Sequence, residues 1–295
     1  MKKVLFEGAG VAIITPMHKD GSVNYDMLGN LIDFQVDNGT DAIIICGTTG
    51  ESSTLTHEEH TQCIDFTVKH TAGRVPVIAG TGSNDTAYAI ELTREAQKSG
   101  VDGALIVTPY YNKTSQKGLI AHYTAIADSC DLPIILYNVP SRTGVNIAVS
   151  TFVELAKHEN IVAVKEASGN IAAAAQIKAA CGDNLHLYSG NDDQIIPLAS
   201  LGGKGVISVL SNVMPRQTHD MYAKFASGDT TGAAKLQLEL LDLIDALFSD
   251  VNPIPVKEAM NLMGFEVGEC RLPLVGMDDA KKSALRDTMK KHGLI

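Results

Sequence analysis

The chain has 295 residues, 45% of them hydrophobic and 20% charged, with 26 Gly and 10 Pro. This composition excludes disorder, and the length allows a large core without disulfides or structural metals. Acidic residues outnumber basic ones 34 to 24, giving a formal charge of -10, and no basic tract exceeds two residues (Lys2-Lys3, Lys281-Lys282, Lys290-Lys291). Nucleic acid and acidic membrane surfaces are therefore not expected partners.

At the start of the chain, Met1-Lys2-Lys3 is charged, but Glu7 and Gly8 interrupt the apolar stretch that follows. No secretory signal is expected from such a short stretch. The longest apolar runs are about half of what a bilayer span needs, so no transmembrane helix is expected either. Cys46, Cys63, Cys130, Cys181 and Cys270 are scattered, odd in number and without CxxC spacing. They read as reduced thiols of a cytoplasmic protein.

Strand-length apolar runs rich in Val and Ile follow at residues 11–15, 42–46, 75–79, 104–107, 134–137, 161–165, 185–189 and 206–209. Near-continuous apolarity is the mark of strands buried on both faces of a parallel sheet. Helix-length segments of mixed charge lie between them, at 27–38, 58–70, 86–99, 117–129, 149–158, 171–180 and 194–201. Cap-like residues open several of these, as at Thr56 and Asp85, and glycines close others, as at Gly39, Gly100 and Gly202. Strand starts roughly 20 to 33 residues apart predict eight βα units, and hence an α/β fold of the (β/α)8 TIM-barrel type. A dinucleotide-binding sheet is the competitor. It would need Gly-x-Gly-x-x-Gly after a strand; Gly80-Thr81-Gly82 lacks the third glycine, and Gly8-Ala9-Gly10 is placed before its strand. After residue 228 the pattern becomes helical: Leu236, Leu240, Leu243, Ile244 and Leu247 keep a helical period, and helices are expected at 256–262 and 278–292. The division expected is a catalytic barrel over 1–228 and a small C-terminal helical domain over 229–295. The apolar stripe of that appendage serves either assembly or the barrel surface.

Barrel active sites lie at the C-terminal ends of the strands. Those ends carry Gly47-Thr48-Thr49-Gly50-Glu51, Thr108-Pro109-Tyr110-Tyr111-Asn112, Tyr137-Asn138-Val139-Pro140, Lys165-Glu166 and Ser189-Gly190-Asn191-Asp192. Lys165 follows an apolar strand and shares a face with the small Ala163. An amine in a desolvated pocket can act as a nucleophile and form a Schiff base with a carbonyl; the plainer alternative is a strand-end lysine that snorkels to water. Tyr137, on the neighbouring strand, could relay a proton or simply be a satisfied core tyrosine. Thr48 and Thr49 in a glycine-flanked turn could offer N–H and hydroxyl groups to a carboxylate. Arg142, one of six arginines, could clamp a carboxylate or make a surface ion pair. His57 and His60 have i, i+3 spacing, but no third metal ligand is evident in sequence, so both read as surface or interface histidines and no metal is expected. Pyridoxal phosphate would need a phosphate cup that cannot be placed.

Taken together, these motifs resemble the dihydrodipicolinate synthase family, within the pyruvate-dependent barrel lyases that include N-acetylneuraminate lyase. The resemblance spans essentially the whole chain. It is carried by the strand-end motifs with VPVIAGTG (75–82), YNVPSRTG (137–144), VKEASG (164–169), GVISV (205–209) and NPIPVK (252–257). It implies a pyruvate imine on Lys165 with no separate cofactor, and a proton relay of Tyr137, Thr48 and Tyr111, the last from a neighbouring subunit. It also implies pyruvate binding by Thr49 and the backbone at Ile207, with Gly190 as part of the substrate site, and recognition of the aldehyde's carboxylate by Arg142. The expected reaction joins pyruvate to L-aspartate 4-semialdehyde in diaminopimelate and lysine biosynthesis, in a cytoplasmic homotetramer built as a dimer of dimers. A pyruvate lyase acting on a sugar acid and a non-catalytic carboxylate-binding barrel are the alternatives. The resemblance further places a feedback-lysine site among Ser52, Ser53, His57, His60, Asn84, Tyr88 and Tyr110. Tyr88 stands where inhibited members carry a glutamate, so weak or absent inhibition is expected.

Overall fold

A computed structural model describes residues 2–295; Met1, the first residue of the charged start, lies outside them. Eight parallel strands close into a barrel in chain order. The βα units run β1 (Gly8–Ala12), α1 (Tyr25–Asp37), β2 (Ala42–Ile45), α2 (His57–Thr71), β3 (Val77–Gly80), α3 (Thr86–Ser99), β4 (Gly103–Val107) and α4 (Gln116–Ala127). They continue with β5 (Ile134–Asn138), α5 (Pro140–Thr143), α6 (Val149–Leu155), β6 (Ile161–Glu166), α7 (Ile171–Cys181), β7 (His186–Ser189), α8 (Ile195–Ser200), β8 (Gly205–Ser208) and α9 (Pro215–Ala226). The chain then forms α10 (Thr230–Glu239), α11 (Leu241–Leu247), α12 (Ile254–Leu262) and α13 (Asp279–Lys291). Among the described residues no helix is long and apolar enough to cross a membrane.

Local chemistry sets the helix starts. Thr56 and Glu59 form a reciprocal capping box on α2, while Asn24, Asp85, Ser115 and Asn170 cap α1, α3, α4 and α7 through their side chains. Each strand is buried nearly throughout, and its side chains alternate between two cores. The outward-facing set packs against the helices. The inward-facing set, including Ala12, Ile44, Ile78, Leu105, Ile135, Ala163, Tyr188 and Ile207, fills the barrel. Leu5 and Phe6 join this inner core ahead of β1; Phe6 stacks on Tyr188 at 4.5 Å between ring centroids, and the Tyr188 hydroxyl donates to the Phe6 carbonyl at 2.7 Å. The N-terminal end of the barrel is thereby plugged, and the C-terminal end is left for a cavity.

Three expectations need correction. The first strand begins at Gly8 rather than residue 11, so Gly8 and Gly10 lie inside it. The barrel interior requires this, since a Cβ on Gly10 would come within 2.6 Å of Ile44 Cδ1 and 2.8 Å of Phe6 Cζ. The eighth barrel helix, α9, went unread, because Pro215 opens a polar-rich stretch whose buried residues (Thr218, Met221, Tyr222) carry little apolar signal. The helical period through Leu236–Leu247 is two helices, because the backbone leaves helical geometry at Leu240.

The C-terminal helices are packed onto the barrel. Leu243, Leu247, Val256, Met260, Leu285 and Met289 belong to the same continuous core as the barrel helices. A buried ion pair ties this layer to the second strand end: Lys257 Nζ lies 2.8 Å from Glu51 Oε1, with both side chains at most 2% exposed. The other oxygen of Glu51 accepts the Arg271 N–H, and Lys257 also donates to the Glu269 carbonyl.

Candidate active site

Lys165 is the next-to-last residue of β6 and lies beside Tyr137 of β5 in the sheet register. Both side chains point into the barrel, with Lys165 6% and Tyr137 7% exposed. The Lys165 ammonium sits 4.3 Å from the centre of the Tyr137 ring. A cation on an aromatic face is attracted to it even where water is scarce. Residues of opposite orientation fix the two strand ends. Asn138 Nδ2 donates to Glu166 Oε2 at 2.9 Å, the Ser168 N–H donates to Glu166 Oε1, and Asn138 Oδ1 accepts the Ile147 N–H. Asn138 and Glu166 thus clamp β5 to β6 from outside, which holds Tyr137 and Lys165 in register inside. Space for the lysine comes from Gly190, where a Cβ would lie 3.1 Å from Lys165 Cε and 2.6 Å from Ala167 Cβ.

Above Lys165 lies a cavity of about 250 Å³ lined by Thr48, Thr49, Tyr137, Arg142, Lys165 and Gly190, among others. Six of the eight catalytic and substrate-binding residues expected from sequence therefore meet there. Lys165 and Arg142 are its cations, and no carboxylate is among the described lining residues. The pocket is thus locally positive in a chain of charge -10. Glycines shape its wall as well: a Cβ on Gly80 would lie 2.2 Å from the Cys46 carbonyl oxygen, and one on Gly82 would lie 2.5 Å from the Val107 nitrogen. Arg142, on the short α5, turns its guanidinium to this wall, and its Nη2 contacts the Asn252 carbonyl at 3.4 Å.

Two expected residues are elsewhere. Ile207 is 1% exposed within the packed interior and does not line the cavity, whereas Val209 does. Tyr111 is 91% exposed, has φ of 68°, and lines neither this cavity nor its neighbour. The neighbouring cavity, of about 340 Å³, gathers Ser52, Ser53, His60, Tyr88 and Tyr110, and shares Thr48 and Arg142 with the first. His57 stands beside it, its Nδ1 3.4 Å from the Tyr88 hydroxyl. Asn84 faces a separate depression, where its carbonyl accepts from Asn112 Nδ2. His60 is not a surface histidine: it is 5% exposed and its Nε2 is bonded to the Gly80 carbonyl at 2.9 Å.

Sequence reasoning assigned no role to Asn252 or Phe248, which line the main cavity from the C-terminal segment. Asn252 Nδ2 donates to Thr49 Oγ1 at 3.0 Å in a buried contact. Its motif was visible as Asn-Pro-Ile-Pro, but a contact across 203 residues leaves no local signal. Asp192 lies just beyond the end of β7. It is fully enclosed and accepts the Val209 and Leu210 N–H groups, pinning the chain after β8; burial pushes its carboxyl above the ordinary carboxylate range.

A parallel (β/α)8 barrel with a buried lysine, a tyrosine and an anion-attracting wall at its C-terminal mouth defines an enzyme of the barrel-lyase class. The Dihydrodipicolinate synthetase family profile matches residues 5–292. A 4-hydroxy-tetrahydrodipicolinate synthase of Lachnoclostridium phytofermentans is 63% identical over 292 residues, covering 99% of each chain. The crystal structure of dihydrodipicolinate synthase from Aquifex aeolicus superposes with a TM-score of 0.96 at 49% identity, covering 98% of this chain and 99% of that one. A structure of the Cyanidioschyzon merolae enzyme with lysine bound gives a TM-score of 0.96 at 43% identity, covering 99% and 100%. The chain belongs to the dihydrodipicolinate synthetase family.

Proposed function

We propose that this enzyme condenses pyruvate with L-aspartate 4-semialdehyde to give 4-hydroxy-tetrahydrodipicolinate, the first committed step of diaminopimelate and lysine biosynthesis. The observation that carries this reading is the buried Lys165 amine against Tyr137, in a cavity with Arg142 and no carboxylate among the described lining residues. The Lys165 amine adds to the pyruvate ketone and water leaves. The resulting iminium is an electron sink, so a methyl proton departs and an enamine forms. The enamine carbon attacks the aldehyde, whose oxygen takes up a proton. The amino group of the second substrate then closes on the imine and expels the lysine. Every step moves a proton, which gives Tyr137, Thr48 and Tyr111 their role as a hydroxyl relay. Thr49 and the backbone at Ile207, two residues before the cavity-lining Val209, hold pyruvate, Gly190 leaves room for the imine, and Arg142 receives the second carboxylate. Arg142 also favours this acceptor over a sugar acid. No cofactor beyond the covalent imine enters the scheme.

On this reading residues 1–228 are the catalytic unit, and the helices of 229–295 serve it. The enzyme works in the cytoplasm as a tetramer built as a dimer of dimers, with Tyr111 reaching into a neighbouring subunit's site. The exposure of Tyr111 away from its own cavity supports that arrangement. Lysine inhibits weakly or not at all, because Tyr88 offers a hydroxyl where an ammonium ligand would want a carboxylate. Strong inhibition by sub-millimolar lysine would contradict this.

The deciding experiment is intact-protein mass after pyruvate and borohydride, for wild type and Lys165→Ala. The expected result is a gain of one reduced pyruvate in the wild type and none in the variant, followed by turnover with aspartate 4-semialdehyde. An unmodified wild type would overturn the imine mechanism, and an adduct in the variant would move the nucleophile to another lysine.

A further inference from the structure

The condensation scheme leaves one buried carboxylate unused, Asp192, and it stands beside the shortest ladder of the barrel. Between β7 and β8 only Tyr188 pairs with Gly205 and Ser189 with Val206. Every other seam carries three to five such pairs. Past Ser189 and Val206 the two chains run into the cavity wall, where Gly190, Asn191 and Val209 line the space with Lys165. On its β6 side the turn after β7 stays tied, because the Gly190 N–H donates to the Glu166 carbonyl at 2.8 Å. On its β8 side the ladder has ended, just before the backbone at Ile207 that is proposed to hold pyruvate.

Asp192 takes over where the ladder stops. Its Oδ2 accepts the Val209 N–H at 3.0 Å and the Leu210 N–H at 2.9 Å. The residue is 2% exposed, and its Oδ1 has no partner among the described residues. Burial raises its pKa, while the Ser208 hydroxyl, these N–H groups and the nearby Lys165 charge act against that rise. A carboxyl group so enclosed is costly to fold, and the contacts it makes must offset the cost. Its own carbonyl is braced from the helical layer: Gln237 of α10 donates to it from Nε2 at 2.8 Å, and Gln237 Oε1 accepts the Ile196 N–H at 3.3 Å. From the other side Asn212 Nδ2 donates to the Val209 and Ala12 carbonyls, which ties the same segment to β1.

We propose that Asp192 is a positioning residue for pyruvate: its side chain bridges the unpaired seam and fixes the backbone from Ile207 to Leu210 relative to Lys165. The inference rests on the imine reading above and adds to it a residue that touches no substrate. A seam that admits a small carboxylate must stay unpaired, yet its two edges must keep their spacing. One side chain spanning them meets both demands. Gln237 extends this control to the helical layer, since it holds the turn that carries Asp192.

The test is borohydride trapping over a range of pyruvate concentrations, read as intact-protein mass, with steady-state kinetics in aspartate 4-semialdehyde at saturating pyruvate. In Asp192→Ala the pyruvate concentration for half-maximal adduct should rise by roughly 10-fold to 100-fold, the scale of a binding group displaced by about 1 Å. KM for the aldehyde should stay at the wild-type value. Asp192→Asn keeps an oxygen acceptor and should fall between wild type and Asp192→Ala. Gln237→Leu removes only the brace and should shift pyruvate saturation in the same direction by less; it carries the test if the alanine variant does not fold. A wild type without adduct would overturn the imine reading and this inference together. A wild type with adduct, and variants that saturate at the same pyruvate concentration, would overturn this inference alone. So would an equal rise for both substrates, or Asp192→Asn no better than Asp192→Ala, because general loosening of the fold predicts both.

Discussion

Asn252 holds two cavity-lining groups at once: its amide donates to Thr49 Oγ1, and its carbonyl receives Arg142 Nη2. Removing the amide frees Thr49 to rotate away from the orientation in which it is proposed to hold pyruvate. Asn252→Ala is therefore expected to lower kcat/KM by up to about 100-fold, the scale of a small misplacement of a binding group. Steady-state kinetics with both substrates check this, and unchanged kinetics would remove Asn252 from the site. His122 gives a prediction of a different kind. Its Nδ1 contacts the Thr86 hydroxyl at 2.9 Å, its Nε2 has no partner among the described residues, and burial lowers its pKa from 6.5 to about 4. The fold thus favours the neutral ring. Its contribution is complete above pH 6.5 and declines as pH falls toward about 4, because the unfolded chain takes up the proton first. Melting temperatures across that window should fall less steeply for His122→Asn than for wild type; parallel curves would exclude the effect. At this scale the sequence was legible where chemistry sits at a strand end. Lys165, Tyr137, Thr48, Thr49, Arg142 and Gly190 all reach one cavity. It was not legible for Asn252, whose partners are 203 and 110 residues distant.

Among the elements, strands with apolar interiors could be placed to within a few residues, because both faces of each are buried. The glycine-rich edge of β1 and the polar-rich α9 could not, since small or hydroxyl-bearing residues fill their contacts. The link between the second strand end and α12 was equally hidden. Glu51 adopts a left-handed backbone with φ of 55°, which turns its carboxylate inward to Lys257 and the Arg271 N–H. Breaking a buried pair leaves a charge without a partner. Lys257→Met is expected to cost about 3–5 kcal/mol in denaturant unfolding, and the double variant with Glu51→Gln should recover part of it. If the single variant is as stable as wild type, the pair does not anchor the helical layer.

For the whole molecule, the proposed role of Tyr111, 91% exposed in its own chain, has one chain complete another's site. Lys165→Ala and Tyr111→Phe chains, each poorly active alone, should regain about a quarter of wild-type activity when co-assembled in equal amounts. Only mixed dimers then contain a site with both groups, one per dimer. Activity that stays at the level of the separate variants after subunit exchange would place Tyr111 outside its neighbour's site.

The contact between Glu51 and Lys257 also has a dimension in time. The carboxylate is synthesised 206 residues before its ammonium partner. At ordinary elongation rates of about 5–20 residues per second, the nascent chain waits on the order of 10–40 s for the charge that neutralises it. Asn252 reaches Thr49 after a similar interval. Once residue 165 has been added, the proposed imine lysine exists, while the turn proposed to hold its substrate still has no anchor. On the proposed mechanism the ribosome therefore releases catalytic competence late, and a chain interrupted before α12 carries the proposed nucleophile without a finished site around it.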